Sequence, residues 1–324
     1  MKYALGIDLG GTKILAGVID LERGKVVSSA KHKSQVDQGP DELVARIAET
    51  AEEAMAGAKG AHPEAVGIGA PGQVDRANGV LLSGPNLGQH MDNLPLAALL
   101  CKCLNLPVTL GNDVEVGAIG ELHFGAGKGC KDFVCVFVGT GIGGAIVRNG
   151  KIHRGATNTG GELGHMVVDV GGRLCGCGGQ GHLEAYASRT AVVRTLLGDL
   201  RSGRASVLQR EVPANAADLP GGTAIRSKTI ARAVAEGDEV TVEAIAQAAR
   251  YLGAGLVSVI NFYNPERIVL GGGLIEAVDD YFKQAARRAQ ADCLHAARDG
   301  VEIVRAALGD NAGIVGAAVM AAEG

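Results

Sequence analysis

The sequence predicts an α/β protein built as two lobes, and three observations carry that expectation. A strand, glycine turn, strand pattern opens the chain at YALGIDLGGTKILAGVID and returns after Asp132 as FVCVFVGTGIGGAIVRNG, as in a duplicated architecture. Short apolar runs alternate with stretches of helical spacing between and after these two segments. A chain of 324 residues with 47% hydrophobic content can also bury a large core. Each half is expected to hold a sheet with a glycine hairpin, leaving a cleft between the halves.

The first segment reads strand, turn, strand, turn, strand as far as Ser34. Leu43, Ile47, Ala51 and Ala54 then fall at helical spacing over 41–58, with Pro40 or Asp41 opening the helix. EAVGIGAPG is a short buried strand, and the QVDRANGVLLSGPN that follows reads as a polar loop. PLAALLCKCLN is a helix, PVTLGND a strand and VEVGAIGELHFG another helix. In the second half, residues 190–240 are polar and helix-prone with Pro and Gly interruptions, and are expected to form a surface excursion. A long helix over 239–260, a buried strand in NPERIVLGGGL and a small-residue helix after Asn311 complete the chain.

Composition excludes several classes of function. The net charge is −4 with the signs interspersed, which argues against nucleic acid or an anionic membrane as partner. MKYALGIDLGG runs straight into a strand without the pattern of a signal peptide, so a cytoplasmic protein is expected. Seven cysteines do not make a disulfide framework; Cys101 and Cys103, two apart on a helix, point to different faces. Fifty glycines are about twice the usual share, and their clustering beside apolar strands suggests backbone approaching a ligand.

The most informative stretch is GELGHMVVDVGGRLCGCGGQGHLE, residues 161–184. It brings His165, Cys175, Cys177 and His182 together, a donor set suited to tetrahedral zinc. A closed four-ligand zinc shapes a site rather than catalysing in it. Glu162 and Glu184 lie just outside the ligands and are candidates for gripping a hydroxyl-rich molecule.

Two glycine turns are candidates for phosphate binding. Gly10, Gly11 and Thr12 follow Asp8 in the first half, and Gly139, Thr140, Gly141, Gly143 and Gly144 match them in the second. Backbone N–H groups in such turns can converge on phosphate oxygens. Asp8 could hold water on phosphate-bound magnesium, which takes only one or two protein carboxylates. Each turn alone would equally suit a tight hairpin. GIGAPG and GTGIGG match the dinucleotide fingerprint G-x-G-x-x-G, but neither is followed by a helix, and the P-loop pattern is absent.

In LGNDVEVGAIGE, Asn112 and Asp113 stand where a strand gives way to a helix. Asn112 with Glu115 fits a helix-capping pattern, which leaves Asp113 without a structural duty. The helix dipole favours its ionised form, so it could accept a hydroxyl proton during phosphoryl transfer.

Taken together these residues resemble the ROK family of sugar kinases (repressors, open reading frames and kinases), and most closely its bacterial-type glucokinase branch. The resemblance rests on DLGGTK at 8–13, GIGAPGQVD at 67–75, PNLG at 85–88, GNDVEVGAIGE at 111–121, GTGIGGAIV, GELGH, CGCGGQGHLEAYAS at 175–188, VLGGGL at 269–274 and LGDNAGIVGAA at 308–318. It implies an actin/hexokinase-like (ribonuclease H-like) fold with duplicated βββαβα lobes. The first would span 1–110, joined by the last helix at 311–324, and the second 111–310 with the zinc loop. It implies ATP, Mg2+ and a structural Zn2+, a sugar bound between the lobes, and a homodimer or higher homo-oligomer.

Carried onto this chain, the resemblance makes Asp113 the general base and gives Asn86, Asn112, Glu162, His165 and Glu184 contacts to sugar hydroxyls. Residues 6–13, Lys13 included, and 139–146 become the phosphate turns, and Gly272 and Gly273 lie near the adenosine. The chain departs from the family twice. His182 stands where a third cysteine is usual, and NLGQHMDN lacks the aromatic that usually follows Asn-Leu. The expected activity is 6-phosphorylation of glucose, with N-acetylmannosamine, N-acetylglucosamine or fructose as other acceptors and polyphosphate as another donor. The family's sugar-sensing repressors are the rival class, but they carry an N-terminal helix-turn-helix, whereas a strand starts here near Tyr3. A sugar-binding protein without catalysis is the third reading.

Overall fold

The computed structural model describes residues 1–84, 87–212 and 225–324. In chain order the first half contains β1 (Tyr3–Leu9), β2 (Ile14–Asp20), β3 (Lys25–His32), α1 (Pro40–Gly57), β4 (Val66–Ala70), β5 (Gln73–Asp75), β6 (Val80–Ser83), α2 (Leu96–Leu104), β7 (Val108–Asn112) and α3 (Asp113–Phe124). The second half contains β8 (Phe133–Val138), β9 (Ile142–Arg148), β10 (Lys151–Ile152), α4 (Glu184–Ala187), α5 (Arg189–Arg201), α6 (Ser227–Ala235) and α7 (Glu239–Tyr263). It continues through β11 (Arg267–Gly271), α8 (Gly273–Ala277), α9 (Asp279–Asp292), α10 (His295–Arg298), β12 (Glu302–Arg305) and α11 (Ala312–Ala322). No helix among the described residues is long and apolar enough to cross a membrane.

The two sheets repeat one plan. Their strand orders are β3-β2-β1-β4-β7 and β10-β9-β8-β11-β12. In each, three strands form an antiparallel meander and two more join parallel to the first of them. The chain divides into two compact units, Met1–Gly129 with Ala307–Gly324, and Cys130–Ala306. The divisions therefore fall after α3 rather than before it, and a few residues ahead of 310. The reason is packing: α3 lies against α11 with two glycines at the contact. A Cβ on Gly316 would sit 1.6 Å from the Val116 carbonyl oxygen, and one on Gly120 would sit 2.6 Å from that of Ala312.

In the first unit β1 is covered on both faces, so it reads as an almost unbroken apolar run. Leu5, Ile7 and Leu9 join Leu43, Ile47 and Leu100 of α1 and α2 in one cluster, while Ala4 joins Ile314, Val315 and Ala318 of α11 in another. The small residues on the second face let α11 lie directly on the strands. A Cβ on Gly6 would stand 1.7 Å from the Ile314 carbonyl oxygen, and one on Gly67 would stand 1.8 Å from that of Ala317. Much of the glycine excess thus serves close approach of backbone to backbone, a role the ligand reading did not include. α1 starts with Pro40 at its first turn and Asp41 and Glu42 beside it, which suits the helix dipole.

The core of the second unit is built around α7, whose Ile245, Ala249, Leu252, Leu256 and Ile260 are buried. The side chain of Asp238 caps α7 by accepting from the Thr241 N–H at 2.9 Å and from its hydroxyl at 2.6 Å. It also accepts from the Val207 N–H at 2.9 Å and the Ser206 hydroxyl at 3.1 Å, which ties in the segment before α6. That segment is not the surface excursion its polarity suggested. Val192, Val193 and Leu196 of α5, Leu208, and Ile230 and Ala233 of α6 belong to the main core cluster. Residues 213–224, from the middle of that stretch, lie outside the described residues. The polar loop expected after Gly72 is likewise a β5–β6 hairpin.

Candidate active site

In the first unit, the candidate residues gather at the carboxyl ends of the parallel strands, where open α/β sheets bind ligands. β1 ends in a tight turn closed by a hydrogen bond from the Gly10 N–H to the Lys13 carbonyl at 2.8 Å. Gly11 and Thr12 form its tip. Asp8, on β1 just before the turn, packs against Gly313, where a Cβ would be 2.9 Å from its carboxyl carbon. Burial pushes the Asp8 carboxyl above its ordinary value; nearby Lys13 opposes the shift and Asp310 adds to it. The Lys13 ammonium lies 3.9 Å from Asp310.

β7 passes into α3 at Asn112 and Asp113 without an intervening loop. Asn112 is the cap: its Oδ1 accepts from the N–H groups of Val114 at 2.9 Å and Glu115 at 3.2 Å. Its Nδ2 donates to the Gly72 carbonyl at 3.0 Å, which fixes the loop after β4. Asp113 is the first residue of the helix and half-buried, with Oδ1 2.9 Å from the Val114 N–H. Gly69 on β4 makes room for this first turn, since a Cβ there would be 2.4 Å from Val116. Asn86 lies outside the described residues.

In the second unit, the turn between β8 and β9 is closed by Gly139 N–H donating to Gly141 at 2.9 Å. A Cβ on Gly144 would stand 2.5 Å from the Gly161 carbonyl oxygen, so β9 runs directly beside the start of the loop that carries His165. Gly143 is the β9 residue opposite Phe137. Gly272 shares the carboxyl end of this sheet. Its φ of +91° and the Val138 backbone, 2.6 Å from any Cβ placed there, both require glycine. Gly273 then begins α8.

His165, Cys175, Cys177 and His182 converge, their four ligand atoms all within 4.8 Å of one another. The two Nδ1 atoms are 3.3 Å apart, Cys177 Sγ is 3.2 Å from His182 Nδ1, and Cys175 Sγ is 3.9 Å from His165 Nδ1. Tetrahedral zinc, with Zn–N about 2.0–2.1 Å and Zn–S about 2.3 Å, sets such edges at about 3.3–3.6 Å. The donor set and its spacing fit the ion. Burial pushes the Cys175 thiol up, a shift that a bound cation would oppose by favouring the thiolate.

With Nδ1 facing the cluster, His165 turns Nε2 toward Glu162, 3.9 Å from its carboxylate. Glu184 points one oxygen at Cys175 (3.8 Å) and the other at the Ile142 N–H (2.8 Å). Glu184 therefore bridges the ligand cluster and the 139–141 turn, a link that spacing along the chain does not disclose. Reading the sequence also missed Arg189 and Thr190. The Arg189 guanidinium donates to the Thr140 hydroxyl at 2.7 Å, and the Thr190 hydroxyl donates to the Thr140 carbonyl at 2.7 Å. The signal available was a basic residue beginning a helix, where the dipole disfavours positive charge.

Comparison with known proteins gives the family and the fold. The ROK family model matches residues 4–323. The chain is 36% identical over 327 residues to a glucokinase of Streptomyces coelicolor, covering 100% of this chain and 98% of that one. It is 33% identical to a glucokinase of Thermotoga maritima, covering 98% and 97%. Among solved structures, a ROK family glucokinase from Streptomyces griseus in complex with glucose and AMPPNP superposes with a TM-score of 0.82. That structure is 35% identical, with 99% of this chain and 100% of the other covered. The fold, with its repeated sheet, is actin/hexokinase-like, and the chain belongs to the ROK family.

Proposed function

We propose that the protein is an ATP-dependent hexose kinase that phosphorylates the 6-hydroxyl of glucose. The observation that carries this reading is the half-buried Asp113 carboxylate at the first turn of α3, in a chain that glucokinases match end to end. In the proposed reaction Asp113 accepts the proton of the sugar 6-hydroxyl as that oxygen attacks the γ-phosphorus of ATP. The bond from γ-phosphorus to the β,γ-bridging oxygen breaks, and ADP leaves. The 139–141 turn and the Gly10–Lys13 turn hold the phosphates through backbone N–H groups. Gly272 and Gly273 make room for the nucleoside. Mg2+, when bound, would neutralise phosphate charge, and Asp8 would be the carboxylate that holds its water.

Glu162, Glu184 and the Nε2 edge of His165 bind the sugar hydroxyls, with Asn86 a further contact. Asn112 is a sugar contact as well, held in place by the backbone it caps. His165, Cys175, Cys177 and His182 would hold Zn2+, which would supply rigidity rather than chemistry and so keep the ring of His165 and the approach of Glu184 in place. The seven free cysteines suit a reducing compartment, in line with a cytoplasmic enzyme that works as a homodimer or larger homo-oligomer.

The test is coupled ADP release with ATP or polyphosphate as donor, across glucose, fructose, mannose, N-acetylglucosamine and N-acetylmannosamine. The highest kcat/KM is expected for glucose with ATP. ADP release with no sugar at millimolar concentration would end the kinase reading. A tenfold preference for an N-acetylhexosamine would move the assignment to another sugar.

A further inference from the structure

We propose that Arg189 binds the phosphate chain of the phosphoryl donor, supplying the positive charge that the 139–141 turn itself lacks. This inference rests on the kinase reading above. The turn, GTGIGG, carries no charged side chain. Arg189 stands against it on two hydrogen bonds, and its neighbour Thr190 adds a third. Its own N–H donates to the Gly139 carbonyl at 2.9 Å, its Nη2 to the Thr140 hydroxyl at 2.7 Å, and the next residue's hydroxyl to the Thr140 carbonyl at 2.7 Å.

The guanidinium is placed at a cost that the protein does not offset. It is half-buried, and its Nε is buried with no hydrogen-bond partner among the described residues. Among the described residues no carboxylate pairs with it, and burial lowers its pKa. Arg189 is also the first residue of α5, at the end of the helix where the dipole opposes a cation. A desolvated, unpaired charge of this kind is unfavourable until an anion arrives. An anion at the turn would meet the remaining guanidinium donors and also the favourable end of the α5 dipole. The terminal phosphates of a nucleoside triphosphate have that chemistry, and Thr140, already joined to Arg189, is at the tip of the turn meant to receive them.

A structural strap for the turn is the competing role, and it predicts different binding. Full-length protein would be titrated calorimetrically with ATP, inorganic triphosphate and adenosine, for the wild type, Arg189→Gln and Arg189→Lys. Losing one charge-assisted contact should weaken ATP and triphosphate about tenfold or more in Arg189→Gln. Adenosine affinity and the KM for sugar should hold within about twofold, and Arg189→Lys should recover part of the loss, since it restores a point charge. Unchanged ATP and triphosphate binding in Arg189→Gln would overturn the inference while leaving the kinase reading in place. Equal weakening of adenosine and ATP in both variants would also overturn it, in favour of the strap. A wild type that binds neither ATP nor triphosphate would remove both readings.

Discussion

At the scale of single residues, Asp113 and the His/Cys cluster make the most direct claims. Asp113→Asn preserves the first turn of α3, because Asn112 supplies the cap. Its kcat is expected to fall ~100-fold or more with sugar affinity kept, the usual scale for a general base; near-normal ADP release would remove Asp113 from the chemistry. Cys177→Ser opens the four-ligand set and should raise the KM for sugar while nucleotide binding persists. Elemental analysis of the wild type should find about one zinc per chain, as one closed site requires. Metal-free protein with full sugar affinity would refute the structural role given to the ion. The convergence of His165, Cys175, Cys177 and His182 was legible in the sequence because all four fall within a short glycine-rich stretch. Arg189 was not, because its meaning comes from Thr140, 49 positions away along the chain.

At the scale of elements, periodicity served best where an element is long or bounded by strong signals. α1, opened by Pro40, and α7, 25 residues long, were readable for that reason. β5 and β6 were not, being three and four residues long, too short for alternation to register. α5 and α6 hide narrow apolar stripes among basic residues, so their composition suggested solvent exposure where the fold buries them. The α3–α11 contact leads to a stability prediction. Gly316→Ala should cost about 3 kcal/mol, since its methyl meets the Val116 carbonyl and one helix must move. A melting temperature unchanged by that substitution would show that the helices separate freely.

The Asp238 cap adds a dependence on pH. Burial works to raise its carboxyl, but hydrogen bonds from Thr241, Val207 and Ser206 outweigh it and hold the group below its ordinary value. A carboxyl depressed by folding stabilises above its unfolded pKa and loses that contribution as pH falls through the folded one. The wild type should therefore be more stable than Asp238→Asn at neutral pH, with the gap narrowing below about pH 4. A gap that is constant with pH in denaturant melts would assign the effect to shape rather than charge.

At the scale of the whole molecule, the repeated sheet was legible because the same glycine hairpin occurs twice. The limits of the units were not, because they depend on which helix rests on which sheet. Truncation before Ala312 should expose β1 and β4 to rapid amide exchange while β8 and β11 stay protected, since α11 belongs to the first unit alone. Equal loss of protection in both sheets would mean that the two units fold as one. The return of α11 also sets an order on biosynthesis. Nascent chains commonly fold from their N-terminus at elongation rates of about 5–20 residues per second. Here β1 and β4 leave the ribosome early but wait on the order of ten seconds or more for the helix that seals them. The second unit, continuous from Cys130 to Ala306, has emerged by then. The later half of the chain can therefore finish folding first, and in that interval the apolar strands of the earlier half are the part of the newborn protein that chaperones have most reason to meet.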